Sequence, residues 1–285
     1  MSKYALITGA SRGLGEYLAR RFWLDGYNLL LVARSEEALR ELIINLPVRN
    51  EQRALYFGAD LSDVSEVDKL ILDVSAAMPH LDVLINNAGT QGPMGPLLQN
   101  DMGHWRETLQ VNLLSSVAII QGLIPVLKKS SRASIINLSG GGATSPRANF
   151  SAYASSKAGL VRFSETLAEE LKDLGITVNC VAPGAMKTGM LEQVVAAGES
   201  LVGEKEFRGA KNIIDGEANA SFERTGDLAL FLCSQVARGI TGKLISAKWD
   251  NWEVWPDYVK LLSSNDAYTL RRIVGADRNF PMGDK

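Results

Sequence analysis

Short apolar runs alternate along this chain with stretches whose apolar positions recur every three to four residues. Tyr4-Ala5-Leu6-Ile7, Asn28 to Ala33, Arg53 to Gly58, Val83-Leu84-Ile85, Ser134 to Leu138, Ile176 to Val181 and Lys243 to Ala247 read as strands. Asn28 to Ala33 is almost wholly apolar, as a parallel strand covered on both faces should be. Helical spacing follows the first strand as far as about Leu24. It recurs over Glu36 to Leu46, Asp63 to Ala77, Met102 to Leu127, Ala152 to Leu174 and Asp227 to Cys233. Asp63 and Glu66 are spaced for a capping box. The alternation predicts an α/β fold: a Rossmann-type doubly wound parallel sheet of about seven strands in a single domain. The one long stretch without a clear period, 189–225, reads as an irregular substrate loop, and 248–285 as a C-terminal extension.

Composition changes this picture little. A chain of 285 residues, 46% of them hydrophobic, has ample material for one large core. A net charge of −2 supplies no field to draw the chain to nucleic acid or an anionic membrane, so neither is an expected partner. The two cysteines, Cys180 and Cys233, sit in apolar surroundings and read as reduced core thiols. Two histidines, His80 and His104, leave little for a His-rich metal site or a His-based triad, and no metal is expected. The first strand is expected to begin at Lys3, and no signal peptide is expected before it. The longest uncharged run, Leu109 to Leu127, carries Gln110, Asn112, Ser115, Ser116, Gln121 and Pro125. These are costly in lipid, so a buried helix and a cytoplasmic location are expected.

Candidate chemistry begins at the first turn. The loop Gly9 to Gly15, with Ser11, Arg12, Gly13 and Leu14 inside it, lies between the first strand and first helix. Glycines there permit a tight turn and let backbone amides approach a pyrophosphate at the helix N-terminus. The second strand ends in Ala33-Arg34-Ser35, without the acid that holds a ribose 2′-hydroxyl in NAD binders. Arg34, and Arg12 in the glycine loop, are placed to meet a 2′-phosphate, which favours NADP(H). Further on, Tyr153 and Lys157 are one helical turn apart and share a face. A free phenol has a pKa of about 10, and bringing it near neutrality takes about 4 kcal/mol. A neighbouring ammonium favours the phenolate in a site shielded from water.

Taken together, Thr8-Gly9-x-x-x-Gly13-x-Gly15, Asp60-Leu61, Asn86-Asn87-Ala88-Gly89, Val111-Asn112-Leu113, Tyr153-x-x-x-Lys157 and Pro183-Gly184-x-x-x-Thr188 carry a resemblance. The chain resembles the short-chain dehydrogenase/reductase family, in its shorter branch, over roughly Lys3 to Ala247. The resemblance implies that Asp60, beside Leu61, accepts from the adenine amino group. It implies that Asn87, Ala88 and Gly89 line the coenzyme, with Asn87 and Gly89 close beneath the adenosine ribose. Lys157 is implied to hold the nicotinamide ribose hydroxyls. Thr188, which follows Pro183 and Gly184, is implied to bond the carboxamide. Asn112 is implied to interrupt its helix and hold a water that links Lys157 to solvent. A homodimer or homotetramer is implied, formed through the helices Met102–Leu127 and Ala152–Leu174.

The chain departs from the family in two places. The Ser usually found thirteen residues before the Tyr is here Gly140, in Ser139-Gly140-Gly141-Gly142. Three options remain: Ser139 is brought in by a turn at the glycines; Thr144, Ser145 or Ser151 substitutes; or Tyr153 works alone. The second departure is Trp249, Trp252 and Trp255, three apart, which read as packing a tail onto the body or as a lid on the substrate cleft. Arg271, Arg272 and Arg278 in that tail read as solvated surface, or as contacts for an anionic substrate or a second subunit.

The expected function is NADP(H)-dependent interconversion of a small-molecule carbonyl and a secondary alcohol, in the reductase direction. Tyr153, Lys157, Asn112 and Ser139 are the expected catalytic set. The alternatives are an epimerase or dehydratase on the same scaffold, or a catalytically weak NADP-binding regulator.

Overall fold

The structure is a computed structural model and describes residues 2–49, 51–216 and 220–280. Seven parallel strands form one sheet: β1 (Lys3–Thr8), β2 (Tyr27–Ala33), β3 (Ala54–Gly58), β4 (Val83–Asn86), β5 (Ser134–Leu138), β6 (Thr177–Ala182) and β7 (Leu244–Ser246). Their order is β3-β2-β1-β4-β5-β6-β7. The order reverses between β1 and β4, where a doubly wound sheet opens a crevice at its carboxyl edge.

Period-two alternation builds a core on each face. Ala5, Ile7, Leu29 and Leu31 point into one cluster, and Leu6, Leu30 and Val32 into the other. Every residue of β2 is buried, whereas the edge strand β3 leaves Leu55 and Tyr56 exposed. The first face is covered by α1 (Gly13–Leu24), α2 (Glu36–Ile44) and α10 (Ala220–Leu232), and the second by α3 (Val64–Ala77), α5 (Ser115–Leu127) and α6 (Ser151–Glu170).

Several expectations need correcting. Asp63 caps α3 by accepting from the amides of Ser65 and Glu66, but Glu66 reaches back to the Asp60 amide rather than closing a capping box on Asp63. The helix expected from Met102 to Leu127 runs as α4 (Met102–Leu109), one π turn (Gln110–Leu114) and α5. It is long and apolar enough to cross a membrane by composition, yet Ile119, Ile120, Leu123, Val126 and Leu127 are spent on the core beneath the sheet.

The largest difference is 189–225. It is not irregular: α7 (Gly189–Ala197), α8 (Glu199–Val202) and α9 (Glu204–Asp215) fill it, and α10 begins at Ala220. Residues 217–219 of that stretch lie outside the described residues, as do the last five of the 248–285 extension. Gly198 and Gly203 sit at φ 83° and 88° with ψ near 150°, a conformation only glycine adopts readily, so the chain can turn sharply between short helices. In the extension, Trp252 and Trp255 are buried in the same core as α1 and α10, with Phe231 stacked on Trp252. Trp249 is exposed. These rings pack the tail, including α11 (Val259–Ser263), onto the body, away from the Tyr153 cluster.

Candidate active site

The glycine loop is held to the end of β4 by close backbone contact. A Cβ on Gly15 would lie 2.1 Å from the Gly9 carbonyl oxygen, and one on Gly9 would lie 2.8 Å from Ala88 Cα. Asn87 Nδ2 donates to the carbonyls of Thr8 and Gly9 (2.9 and 3.2 Å), and Thr8 Oγ1 accepts from the amides of Asn87 and Ala88. The Asn87 amide thus shapes the loop from within. Leu14 is buried under it, and a Cβ on Gly13 would touch Thr188 Cγ2 at 3.5 Å. The loop, the β4 end and the β6–α7 turn with Pro183, Gly184 and Thr188 therefore share one edge of the sheet.

The other positions near that edge are more dispersed. Arg34 is exposed at the end of β2, and its side chain makes no ion pair or hydrogen bond among the described residues. Arg12 is exposed, with Nη1 3.9 Å from where a Cβ of Gly189 would sit, so its head lies at the foot of α7. Ser11 is half-buried. Asp60 Oδ1 accepts from the Ser62 amide and hydroxyl (2.9 and 2.8 Å), with Leu61 buried beside it.

Tyr153 and Lys157 are both buried on the inner face of α6. Lys157 Nζ donates to the Leu138 carbonyl at 2.8 Å and lies 5.8 Å from the Tyr153 ring centroid. Burial pushes its pKa down to about 8. Burial also pushes the Tyr153 phenol above its ordinary range, opposed by the Arg147 guanidinium. The phenol is therefore neutral at pH 7 and carries a proton.

Asn112 sits in the π turn, fully buried. Its Oδ1 accepts from the Thr90 amide at 2.8 Å, and its Nδ2 donates to the Thr90 carbonyl and to Ser156 Oγ (2.9 and 3.0 Å). This two-point clamp fixes the segment after Gly89. A Cβ on Gly89 would lie 3.2 Å from Asn112 Oδ1 and 3.6 Å from Lys157 Nζ, so Gly89 brings the backbone close against both groups.

At the departed position, a Cβ on Gly140 would lie 2.2 Å from Tyr153 Oη. The phenol occupies space that a serine at 140 would need. Ser139 does not take its place. Its hydroxyl is buried without a hydrogen-bond partner among the described residues, and its amide donates to Val181. Nor do the other hydroxyls turn in: Thr144 and Ser145 are exposed, and Ser151 Oγ accepts from Trp105 Nε1 at 3.2 Å.

The phenol is covered by an apolar group. Phe150, Val194, Val202 and Ala210 pack with Tyr153, flanked by Met94, Met190 and Phe207. Most come from α7 to α9, so that segment lies over the site as a lid. Residues that sequence reasoning missed join it here. Arg147 lies 3.7 Å over the Phe150 ring, donates to Glu206 Oε2 on α9 through Nε and Nη2 (3.1 and 2.8 Å), and reaches Gln91. Thr90, Gln91, Arg147 and Glu206 belong to no short motif, and Ser156 stands at an unspecified position inside Tyr153-x-x-x-Lys157.

Residues 3–198 match the short chain dehydrogenase family model. The chain is 35% identical over 190 residues to a fatty acyl-CoA reductase of Acinetobacter baylyi, a match covering 66% of this chain and 64% of that protein. It is 31% identical over 253 residues to the 3-oxoacyl-(acyl-carrier-protein) reductase FabG of Staphylococcus aureus, covering 86% of this chain and 96% of the relative. Among solved structures, a short-chain dehydrogenase from Shigella flexneri complexed with NADP superposes with a TM-score of 0.74 at 26% identity, covering 86% of this chain and 97% of that one. Six motifs, one sheet order and these matches agree: the chain belongs to the short-chain dehydrogenase family of oxidoreductases.

Proposed function

We propose that the protein uses NADP(H) to interconvert a small-molecule carbonyl and a secondary alcohol, working as a reductase. The observation that carries this reading is the pair Tyr153 and Lys157, buried on one face of α6 beside the crevice between β1 and β4. The residues present fit a dinucleotide. Gly9 and Gly15 let the loop turn tightly against the end of β4, where a Cβ would clash, and Arg34 offers a guanidinium with no partner among the described residues where an NAD binder carries an acid. The NADP complex of the Shigella relative is in keeping with that choice.

When bound, the nicotinamide supplies the hydride at C4. Tyr153, neutral at pH 7, holds the proton that the carbonyl oxygen needs as it becomes a hydroxyl. Lys157 Nζ steadies the phenolate left behind and bonds the coenzyme ribose. Asn112 keeps Thr90 and Gly89 in line above Lys157 and supports the return of a proton. Asp60, Leu61, Asn87, Ala88, Pro183, Gly184 and Thr188 line the coenzyme. The lid α7–α9 excludes water and selects the substrate once it opens to admit it. Leu97, Leu98, Met102 and Leu114, exposed around α4, suit a homo-oligomer face. Two reduced, buried cysteines suit the cytoplasm.

The test is NADPH oxidation over a panel of ketones and 3-oxoacyl thioesters. The reading expects consumption matched by alcohol formed. Isotope exchange without NADPH loss would point instead to an epimerase or dehydratase. A second reading, a catalytically weak NADP-binding regulator, is favoured by Gly140 and by the covered phenol. Tight NADPH binding with no turnover on the panel would select it. For the coenzyme, Arg34→Ala is expected to weaken NADPH binding about 10-fold or more and leave NADH unchanged. An unchanged affinity ratio would remove Arg34 as the phosphate reader.

A further inference from the structure

The family's serine is absent, and Lys157 Nζ lies 5.8 Å from the ring centroid of the phenol it is expected to tune. Its ammonium is spent on the Leu138 carbonyl. Another cation stands close by. The Arg147 guanidinium carbon lies 5.4 Å from the Tyr153 ring centroid, sandwiched against Phe150 at 3.7 Å, and the side chain is 14% exposed. A guanidinium over a ring face, shielded from water, acts on that ring with little screening. Arg147 packs beside the glycine run: a Cβ on Gly142 would lie 3.3 Å from Arg147 Cβ. Arg147 is itself bound through two nitrogens to one oxygen of Glu206, which α9 carries on the lid.

The geometry points to Arg147 as a positioning residue that stabilises the Tyr153 phenolate, with Glu206 on the lid opposing it. The inference rests on the reading above, in which Tyr153 exchanges a proton. The Arg147 charge favours the phenolate against burial, in addition to what Lys157 supplies. The groups facing Tyr153 are few. α6 supplies Lys157, the β5–α6 loop supplies Arg147, and α9 supplies Glu206 through Arg147. Val194 of α7, Val202 of α8 and Met94 carry no charge. Cys180, beside Lys157, stays neutral because burial pushes its thiol up to about 12. When the lid is down, Glu206 offsets the Arg147 charge and the phenol keeps its proton. When it lifts, Arg147 is left uncompensated and the phenol gives its proton up more readily. Lid position and proton affinity are thereby tied together.

A mere structural latch predicts that breaking the ion pair from either side does the same thing. Charge control predicts opposite signs. The phenolate absorbance of Tyr153, taken as the difference between each protein and its Tyr153→Phe counterpart, is titrated in the full chain without coenzyme. Arg147→Gln is expected to move the titration up by about one pH unit, and Glu206→Gln down by about one. The double variant is expected to return close to wild type. Shifts of the same sign, or none in either variant, would overturn the inference. Should Arg147→Gln fail to fold, Glu206→Gln decides alone, since its phenol must titrate below the wild-type value. The titration needs neither coenzyme nor substrate. Opposite shifts in an enzyme inactive on every carbonyl would keep this assignment and discard the reductase reading.

Discussion

Gly140 and Tyr153 are best understood as one feature. With no side chain at 140, the phenol moves into the space beside the backbone, and a serine restored there would meet Oη at 2.2 Å from its Cβ. Gly140→Ser is therefore expected to lose about 1–3 kcal/mol of stability by overpacking, with no gain in turnover. Denaturant melts and steady-state rates check this together, and a stable, faster variant would show that the site can relax around a serine. Lys157 gives a second residue-scale expectation. Its pKa is near 8 when folded against about 10.5 unfolded, so between those values the unfolded chain binds more protons. Stability from this group therefore rises with pH across that window. Relative to Lys157→Met, wild type should gain about 1.5 kcal/mol from pH 8 to 9.5, a difference in which Cys180 and Cys233 cancel. A flat difference would mean that the ammonium is better solvated than its burial implies.

Among elements, the π turn and the lid helices decide how the site is held. Asn112 satisfies both backbone groups of Thr90, and Asn112→Ala orphans a part-buried amide at a cost of about 2 kcal/mol, or about 3 °C in Tm. A melt unchanged by the variant would mean that water replaces the clamp. In the lid, Gly198 has φ 83° and open space around it. Gly198→Ala meets no neighbour, so its expected loss of about 1–3 kcal/mol is backbone strain alone. Proteolysis should then fall between 189 and 215. Protection equal to wild type would place the lid's stability elsewhere. These glycines also explain why the lid was not legible in the sequence. Read locally, Gly198 and Gly203 break the helical period and suggest a loop, although they are the bends that let three short helices fold back over Tyr153. The strands were legible for the opposite reason: β2 and β5 are buried on both faces, so their composition alone marks them.

For the whole molecule, the order of motifs along the chain was enough to place the glycine loop, the Asn87 turn and the Tyr153 helix on one edge of a parallel sheet, because short right-handed crossovers leave few other arrangements. Long-range pairing was not readable. Arg147 and Glu206 are 59 residues apart, and nothing in either neighbourhood announces the other. Likewise Trp252 and Trp255 had two readings until the core they enter was known, since an aromatic three-residue spacing fits a lid as well as a tail anchor. The central claim is that the buried phenol of Tyr153 delivers the proton. Its most direct test compares NADPH-dependent carbonyl reduction by wild type and Tyr153→Phe at equal coenzyme saturation. The account predicts a fall of about 10² to 10⁴ in turnover with NADPH affinity retained; a rate equal to wild type would contradict it.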